Sequence, residues 1–341
     1  MRKGIFQLAG WVLAVCLSLG AGTALAAPAA MTCVYIPETG HNIHGSFLRF
    51  FLEHNGVQVL GAPLTEAFWE DQHLAQYFTN GKLEFYPGDP QPVRVKLGMV
   101  GLDYGKTDPP AKVIPRLGDP NALYFPQTGQ SISLEIKDFY FRQGGADVFG
   151  FPISGLHFES GVFAQYFQKQ RLEWNPRTTG LERLRTSPAG QFSLDAKYPG
   201  NFLWRAKAAN DWCTIIKIQD PSLSNITWLT PLTAMPTRPG TNPVVQTLHV
   251  QVRLNPKVPS GPQYVQVFVD NQAGASVPGA AVYAKIQFAE TERVLPVMDT
   301  NAQGSSEFQF DTGKPASSPV TIEVYAVYGS IVGVGRGAFT R

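Results

Sequence analysis

The chain has 341 residues, of which 28 are Lys or Arg and 26 are Asp or Glu, and only 16% are charged. This near balance argues against nucleic acid or an anionic membrane surface as a partner, because both require clustered basic residues. The length suits two or three domains, and the 33 glycines, 27 prolines and many aromatic residues favour short strands joined by turns.

Residues 1–26 have the pattern of a secretory signal peptide. Arg2 and Lys3 precede an apolar stretch from residue 5 to 19, and residues 24–26 form a small-residue cleavage site. The alternative is a retained membrane anchor, but the apolar stretch is shorter than the roughly 20 residues that a span needs. We therefore predict a secreted or cell-envelope-associated protein whose mature chain has no membrane span.

Removal of the leader takes away Cys16 and leaves two cysteines, Cys33 and Cys213. An even pair in an exported protein predicts a disulfide, because the compartments outside the cytosol are oxidising. Two isolated buried thiols are the alternative. The disulfide would tie the start of the mature chain to a segment far along the sequence.

The chain then repeats itself without a gap at an offset of 89 residues, and 18 of the 53 positions from Tyr35 to Pro87 are identical to their counterparts. The shared motifs are Tyr-x-Pro-x-Thr-Gly at 35 and 124, Gly-x-Pro at 61 and 150, Ala-Gln-Tyr-Phe at 75 and 164, and Leu-Glu-x-x-Pro at 83 and 172. Such duplication is typical of modular binding or scaffolding proteins. Repeat 1 is placed in residues 33–110 and repeat 2 in residues 122–190.

Each repeat is predicted to contain a short helix followed by a β-hairpin. Apolar residues spaced i, i+3 and i+4 predict helices over residues 45–54 and 134–143. Alternating residues on either side of a short polar turn predict hairpins over residues 68–86 and 158–175. The repeats are therefore expected to be small α+β units.

The rest of the chain divides into a connector and a β-rich region. Residues 191–243 form a Trp-containing connector that ends in a Pro-rich linker from residue 230 to 243. From residue 244 to 341, six or seven short segments alternate apolar and polar residues with a period of two, and turn-forming runs separate them. This pattern predicts an antiparallel β-sandwich.

The repeat motifs resemble the LGFP-type repeat of exported, cell-wall-associated bacterial proteins. The resemblance implies a role in anchoring proteins to the cell envelope. It rests on Gly-x-Pro, Gln-Tyr-Phe and the [Lys/Arg]-Leu-Glu-aromatic run of each copy. This chain departs from the pattern in having Leu60-Gly61-Ala62-Pro63 and Phe149-Gly150-Phe151-Pro152 in place of a literal Leu-Gly-Phe-Pro.

The region from residue 244 to 341 resembles bacterial Ig-like modules of the invasin or carboxypeptidase-regulatory kind. The resemblance rests on residues 277–282 and on Thr300-x-Ala302-x-Gly304 followed by two phenylalanines. It implies a stalk, spacer or adhesion unit. The fold class is thus multidomain and mainly β with short helices: two tandem small α+β repeats followed by an antiparallel Ig-like β-sandwich.

The aromatic residues of the two hairpins, with nearby Gln and Glu side chains, are the candidate ligand-binding residues. Flat rings with a few polar groups suit a site for sugars. The candidates are Trp69, Gln76, Tyr77, Glu84 and Phe85 in repeat 1, and Phe158, Gln165, Tyr166, Glu173 and Trp174 in repeat 2. The alternative is that these rings fill the core of each repeat, since neighbouring residues of a strand point to opposite faces.

A hydrolytic site is the alternative with the most specific chemistry. Glu84 and Glu173, facing each other across a cleft, could hydrolyse a glycosidic bond. Their equivalent places in two copies instead favour a repeated structural ion pair, for example with Lys82 or Arg171. The sequence has no motif with metal-ligand, phosphate-binding or nucleophile spacing, so we predict no enzyme activity, no metal and no cofactor.

We predict non-catalytic binding or anchoring to cell-wall or extracellular polysaccharide through the repeats. The first alternative is a structural protein–protein adhesin or surface-assembly component that binds other surface proteins. In that case exposed strand edges of the sandwich, such as residues 320–328, would take up partner strands. The second alternative is a glycan hydrolase.

Overall fold

The computed structural model describes residues 32–200, 202–217, 245–254, 261–313 and 317–341. The predicted signal peptide and the predicted Pro-rich linker lie outside these residues. Among the residues described, no helix is long and apolar enough to cross a membrane. In this part of the chain strands outnumber helices, and its sheets are antiparallel apart from one short parallel pair, which confirms the mainly β class.

Repeat 1 consists of a two-stranded ribbon, two short helices and a four-stranded antiparallel sheet. Its elements are β1 (Cys33–Ile36), β2 (His41–His44), α1 (Gly45–Glu53), α2 (Gly56–Val59), β3 (Phe68–Glu70), β4 (His73–Tyr77), β5 (Lys82–Phe85) and β6 (Val95–Leu97). Helix α1 and the β3–β4–β5 hairpins form where the apolar spacing predicts them.

Repeat 2 has the same elements in the same order. They are β7 (Ala122–Phe125), β8 (Gln130–Ser133), α3 (Leu134–Arg142), α4 (Gly145–Phe149), β9 (Pro152–Glu159), β10 (Val162–Phe167), β11 (Arg171–Trp174) and β12 (Leu184–Thr186). Seven of the eight elements begin 89 residues after their counterparts in repeat 1. The short helices α2 and α4 and the fourth strands β6 and β12 were not predicted, because three to five residues are too few to show a period.

The described part of the connector folds back onto repeat 1. Helix α5 (Ala189–Lys197) is followed by Phe202 and Trp204, which pack around Phe68 of β3. Strand β13 (Thr214–Ile215) then pairs with β1 in parallel. The predicted disulfide between Cys33 and Cys213 is present and joins the same two segments.

In the described residues from 245 to 341, the C-terminal region is a sandwich of seven antiparallel strands in two sheets, ordered β14-β15-β18 and β17-β16-β19-β20. The strands are β14 (Leu248–Leu254), β15 (Pro262–Asn271), β16 (Ala281–Gln287), β17 (Glu292–Val297), β18 (Ser305–Asp311), β19 (Pro319–Tyr328) and β20 (Ile331–Thr340). Alternate apolar residues of both sheets form one core. The expected free edge at residues 320–328 is wrong, because β19 pairs with β16 on one side and β20 on the other.

Repeat 1 packs against the outer face of the sandwich sheet that begins with β17. Side chains of Ala281, Val294 and Val327 belong to the same hydrophobic cluster as the core of repeat 1. Helix α1 begins at Gly45, whose φ is +46°, and a Cβ there would lie 1.9 Å from the carbonyl oxygen of Pro296. Only glycine fits so close to a backbone carbonyl at this φ, so this residue sets how closely repeat 1 and the sandwich approach.

Candidate functional site

The two predicted glutamines are structural. Gln76 is buried, and its side-chain nitrogen donates to the carbonyl oxygens of Asn42 and Thr65 at 2.7 and 2.8 Å. Gln165 makes the same pair of bonds in repeat 2, to carbonyls 89 residues further on, at 2.8 and 2.9 Å. Each glutamine therefore ties the ribbon of its repeat to its hairpin, and neither reaches a ligand.

Three of the predicted aromatic residues also lie in the interior. Phe85, Tyr77 and Tyr166 are buried. The hydroxyl of Tyr77 donates to Glu70 at 2.9 Å, and that of Tyr166 donates to Glu159 at 2.7 Å. These rings serve the core, as the alternative interpretation held.

Glu84 and Glu173 belong to ion pairs within their own repeats. Glu84 accepts from Tyr86 at 2.9 Å, and its other oxygen lies 2.7 Å from the Lys82 ammonium. In repeat 2, Arg171 binds one oxygen of Glu173 and Arg185 binds the other at 3.1 Å. Because all four oxygens are occupied, neither carboxylate is placed to protonate a leaving group or to attack a sugar ring.

Glu70 is the centre of the polar network behind the first hairpin, and sequence reasoning missed it. Its oxygens accept from Tyr77 and Tyr198 at 2.9 and 2.7 Å and lie 2.7 and 2.9 Å from the ammonium groups of Lys82 and Lys197. Burial acts to raise the pKa of Glu70, but these partners outweigh it and lower the pKa from 4.5 to about 2.

Replacing Glu70 by glutamine is expected to lower the free energy of unfolding at neutral pH by about 2–3 kcal/mol, since a charge-assisted network is lost. With a folded pKa near 2 and an ordinary value of 4.5, the stabilisation is complete above pH 4.5 and is lost as the pH falls toward 2. Urea unfolding at pH 7 and pH 3 measures both effects.

The wild type should lose more stability than the Glu70→Gln variant between these two pH values. The exposed Glu53→Gln substitution is the control and should leave the wild-type pH dependence unchanged. Equal pH dependence in the wild type and the Glu70→Gln variant would contradict this assignment.

One face of repeat 2 carries exposed apolar side chains. Phe158, Phe163 and Trp174 lie directly opposite one another on β9, β10 and β11, with ring centroids 5.1 and 5.3 Å apart. Phe158 is 65% exposed, and the other two rings are half-buried. Leu134 at the start of α3 is 55% exposed and has a φ of +50°, which is strained for a leucine. These four residues are called the open face.

The sandwich covers the corresponding face of repeat 1. The equivalent residues, 89 positions earlier, are Gly45, Trp69, Leu74 and Phe85. Leu74 and Phe85 are fully buried, and the ring of Trp69 lies 5.5 Å from Tyr283 of β16 in an edge-on contact. The duplicated unit therefore uses this face for protein contact in one copy and leaves it open in the other.

A cleft of about 410 Å³ lies beside the open face, lined by residues that include Glu135, Asp138, Arg142 and Arg183. Glu135 binds Arg183 at 2.6 Å and accepts from the Trp174 indole nitrogen at 3.1 Å. In repeat 1 the counterpart of Arg183 is Arg94, which pairs with Asp299 of the sandwich at 2.8 Å. The arginine of repeat 2 is thus paired with a carboxylate of the same repeat, whereas the equivalent arginine of repeat 1 is paired with a carboxylate of the sandwich.

A second buried network joins the connector, repeat 1 and the sandwich. Asp211 is fully buried, receives a bidentate contact from Arg293 and binds His44 at 3.0 Å. Burial acts to raise the pKa of Asp211, but Arg293 and His44 hold it at about 2, below its usual 3.8. The sequence gives no signal for this network, because the three residues are isolated and far apart along the chain.

Three clusters bring potential metal ligands within 4.8 Å of one another: Cys33, His44 and Cys213; His44, Glu66 and Asp211; and Glu70, His73 and Glu84. Each cluster already has partners that oppose a metal ion. The cysteines are joined to each other, Arg293 holds Asp211, and Lys82 lies between Glu70 and Glu84. We assign no metal to the residues described.

Comparison with protein-family models, with curated proteins and with solved structures finds no match to this chain.

Proposed function

We propose that this protein is an exported, non-catalytic surface-assembly protein whose second repeat holds a partner protein domain. One observation carries the proposal: the open face of repeat 2 is the counterpart of the face on which repeat 1 holds a β-sandwich. Exposing clustered aromatic rings and a strained leucine to water is unfavourable for a monomeric protein. A partner that covers these side chains would account for their exposure.

The bonding around the open face favours protein over sugar as the partner. Recognition of a sugar needs polar groups free to bind hydroxyls next to a ring. The closest groups here, the Trp174 nitrogen, Glu135 and Arg183, are bonded to one another. What remains is an apolar centre with a neutralised rim, as in protein interfaces.

Polysaccharide binding is the second candidate. It is favoured by the cleft beside Trp174, where Asp138 and Arg142 line an opening large enough for a sugar unit. On this proposal repeat 2 would be the main binding unit, because Phe85 of repeat 1 is buried and Trp69 contacts Tyr283 of the sandwich.

Both candidates are tested by pelleting the mature chain with cell envelopes of the organism that makes it. The combined substitution of Phe158 and Trp174 by serine should reduce retention about tenfold or more, since central aromatic residues dominate such contacts. Phe158→Ser alone, at a largely exposed side chain, should give a partial loss. Tyr264→Ser is the matched control, an exposed aromatic residue on the sandwich, and should bind as the wild type does.

The envelope preparation decides the class of ligand. Loss of binding after protease treatment of the envelopes supports a protein partner. Binding to purified polysaccharide that depends on Phe158 and Trp174 moves the assignment to the second candidate. Retention unaffected by the substitutions, in variants with wild-type unfolding temperatures, would contradict both.

A further inference from the structure

We propose that the partner of the open face is a second copy of this chain, bound through the uncovered part of its own sandwich sheet. This inference rests on the proposed function and names its partner. The uncovered part is formed by Tyr325, Val332 and Val334 on the outer face of β19 and β20, and these residues are called the free strip.

The free strip continues the interface that repeat 1 already uses. Tyr283, which contacts Trp69, stacks on Tyr325 with ring centroids 4.8 Å apart and the planes 3° from parallel. Val334 lies directly opposite Tyr325 in the pairing of β19 with β20. Val332 and Val334 are 56% and 43% exposed. Repeat 1 therefore covers part of one apolar sheet face and leaves its neighbouring part in water.

The covered part of that face cannot serve a second copy. It is occupied by repeat 1 of the same chain, which the connector and the buried Asp211–Arg293 pair hold to the sandwich. A second copy can offer only what lies beyond it, which is the free strip.

Leu134 also determines what kind of surface fits the open face. At its counterpart Gly45, the carbonyl oxygen of Pro296 in β17 lies 1.9 Å from the place that a Cβ would occupy. A leucine at the same φ has a side chain there and excludes so close an approach of a strand backbone. The occupant must therefore present side chains and not a strand backbone. Aromatic and β-branched side chains projecting from a pleated sheet face, such as Tyr325 and Val334, meet this condition.

An ion pair lies beside each surface, and the cleft beside the open face adds two charges of opposite sign, Asp138 and Arg142. Glu323 binds Arg336 at 2.9 Å beside the free strip, and Glu135 binds Arg183 at 2.6 Å beside the open face. Because neither rim carries unpaired charge of one sign, association should depend little on salt.

The open face and the free strip lie on different parts of the same chain. A contact between them is heterologous. The assembly therefore keeps one unused open face at one end and one unused free strip at the other. The expected product is a head-to-tail chain of copies that grows with concentration.

Sedimentation velocity on the mature chain tests this directly. The wild type should show an average mass that rises with concentration past that of a dimer, with similar values in low and high salt. The combined substitution of Phe158 and Trp174 by serine, which damages the open face, and Val334→Asp, which damages the free strip, should each give a protein that remains monomeric. An equimolar mixture of the two variants should form a complex of two chains and stop there, because only one intact pair of surfaces remains.

The outcomes separate this inference from the proposed function. A Val334→Asp variant that still dimerises would show two open faces meeting each other, which overturns it. A wild type that stays monomeric at every concentration overturns it as well. If envelope retention is still lost in the Phe158 variants in that case, the proposed function stands with another protein as partner. The Tyr264→Ser control should associate as the wild type does.

Discussion

Replacing Asp211 by asparagine is expected to lower the free energy of unfolding by about 3–5 kcal/mol. The substitution keeps the size of the side chain but leaves the partly buried Arg293 with only the more distant carboxylate of Glu66, at 4.0 Å. It also replaces one carboxylate oxygen by an amide nitrogen, which cannot accept a hydrogen bond, so His44 and Arg293 share the single oxygen that remains. Removing one member of a buried ion pair costs more than the pair contributes, because the remaining charge has lost water and gains nothing in return.

Urea unfolding at pH 7 measures the loss. Glu323→Gln is the matched control: it breaks the pair with Arg336, whose side chain is 75% exposed, and should cost less than about 1 kcal/mol. The folded pKa of Asp211 is about 2, so its stabilisation is complete above pH 3.8 and is lost as the pH falls toward 2. A loss no greater than that of the control would show that the Asp211 network does not hold the connector.

Removing the disulfide is expected to have an effect of similar size. A bond between residues 180 positions apart restricts the unfolded chain, and a loop of that length corresponds to about 5 kcal/mol on the entropic account. Measured effects of native disulfides fall between about 2 and 5 kcal/mol. The midpoint of urea unfolding should therefore fall when the wild type is reduced.

The combined substitution of Cys33 and Cys213 by alanine gives an independent comparison. This variant should unfold at the midpoint of the reduced wild type, and adding reductant should leave it unchanged. A wild-type midpoint that reductant does not move would mean that the bond does not form or does not stabilise the fold.

Much of the architecture could be predicted from local pattern. The spacing of Phe47, Phe50 and Phe51 places a helix over residues 45–54, and the structure has it over Gly45–Glu53. The alternation from residue 248 onward gives strands, because one face of each is buried in the sandwich core. The shared glycines and prolines indicate the duplication, since turn positions tolerate few residues.

The candidate site was harder to predict. Alternation of apolar and polar residues separates the two faces of a strand, but it does not show which face another part of the protein covers. Trp69 and Phe158 occupy the same place in two copies, yet Trp69 contacts Tyr283 and is 39% exposed, whereas Phe158 is 65% exposed. Gln76 has the composition expected of a ligand group but satisfies backbone carbonyls inside the fold. A usable signal did exist for Glu70: it recurs as Glu159, 89 residues later.

The unequal covering of the two repeats depends on contacts between residues far apart in sequence. Only Gly45 marks it locally, since repeat 2 has Leu134 there. The sequence near either residue does not indicate that the sandwich packs on the first repeat and not on the second.

The Cys33–Cys213 bond also determines how the protein transmits force. A pull applied ahead of residue 33 and beyond residue 213 travels directly across the sulfur–sulfur bond. Both duplicated units lie within the closed loop, so tension that passes along the covalent chain bypasses their backbone. Under such a pull the open face of repeat 2 would stay intact, while the load falls on the contacts between repeat 1 and the sandwich.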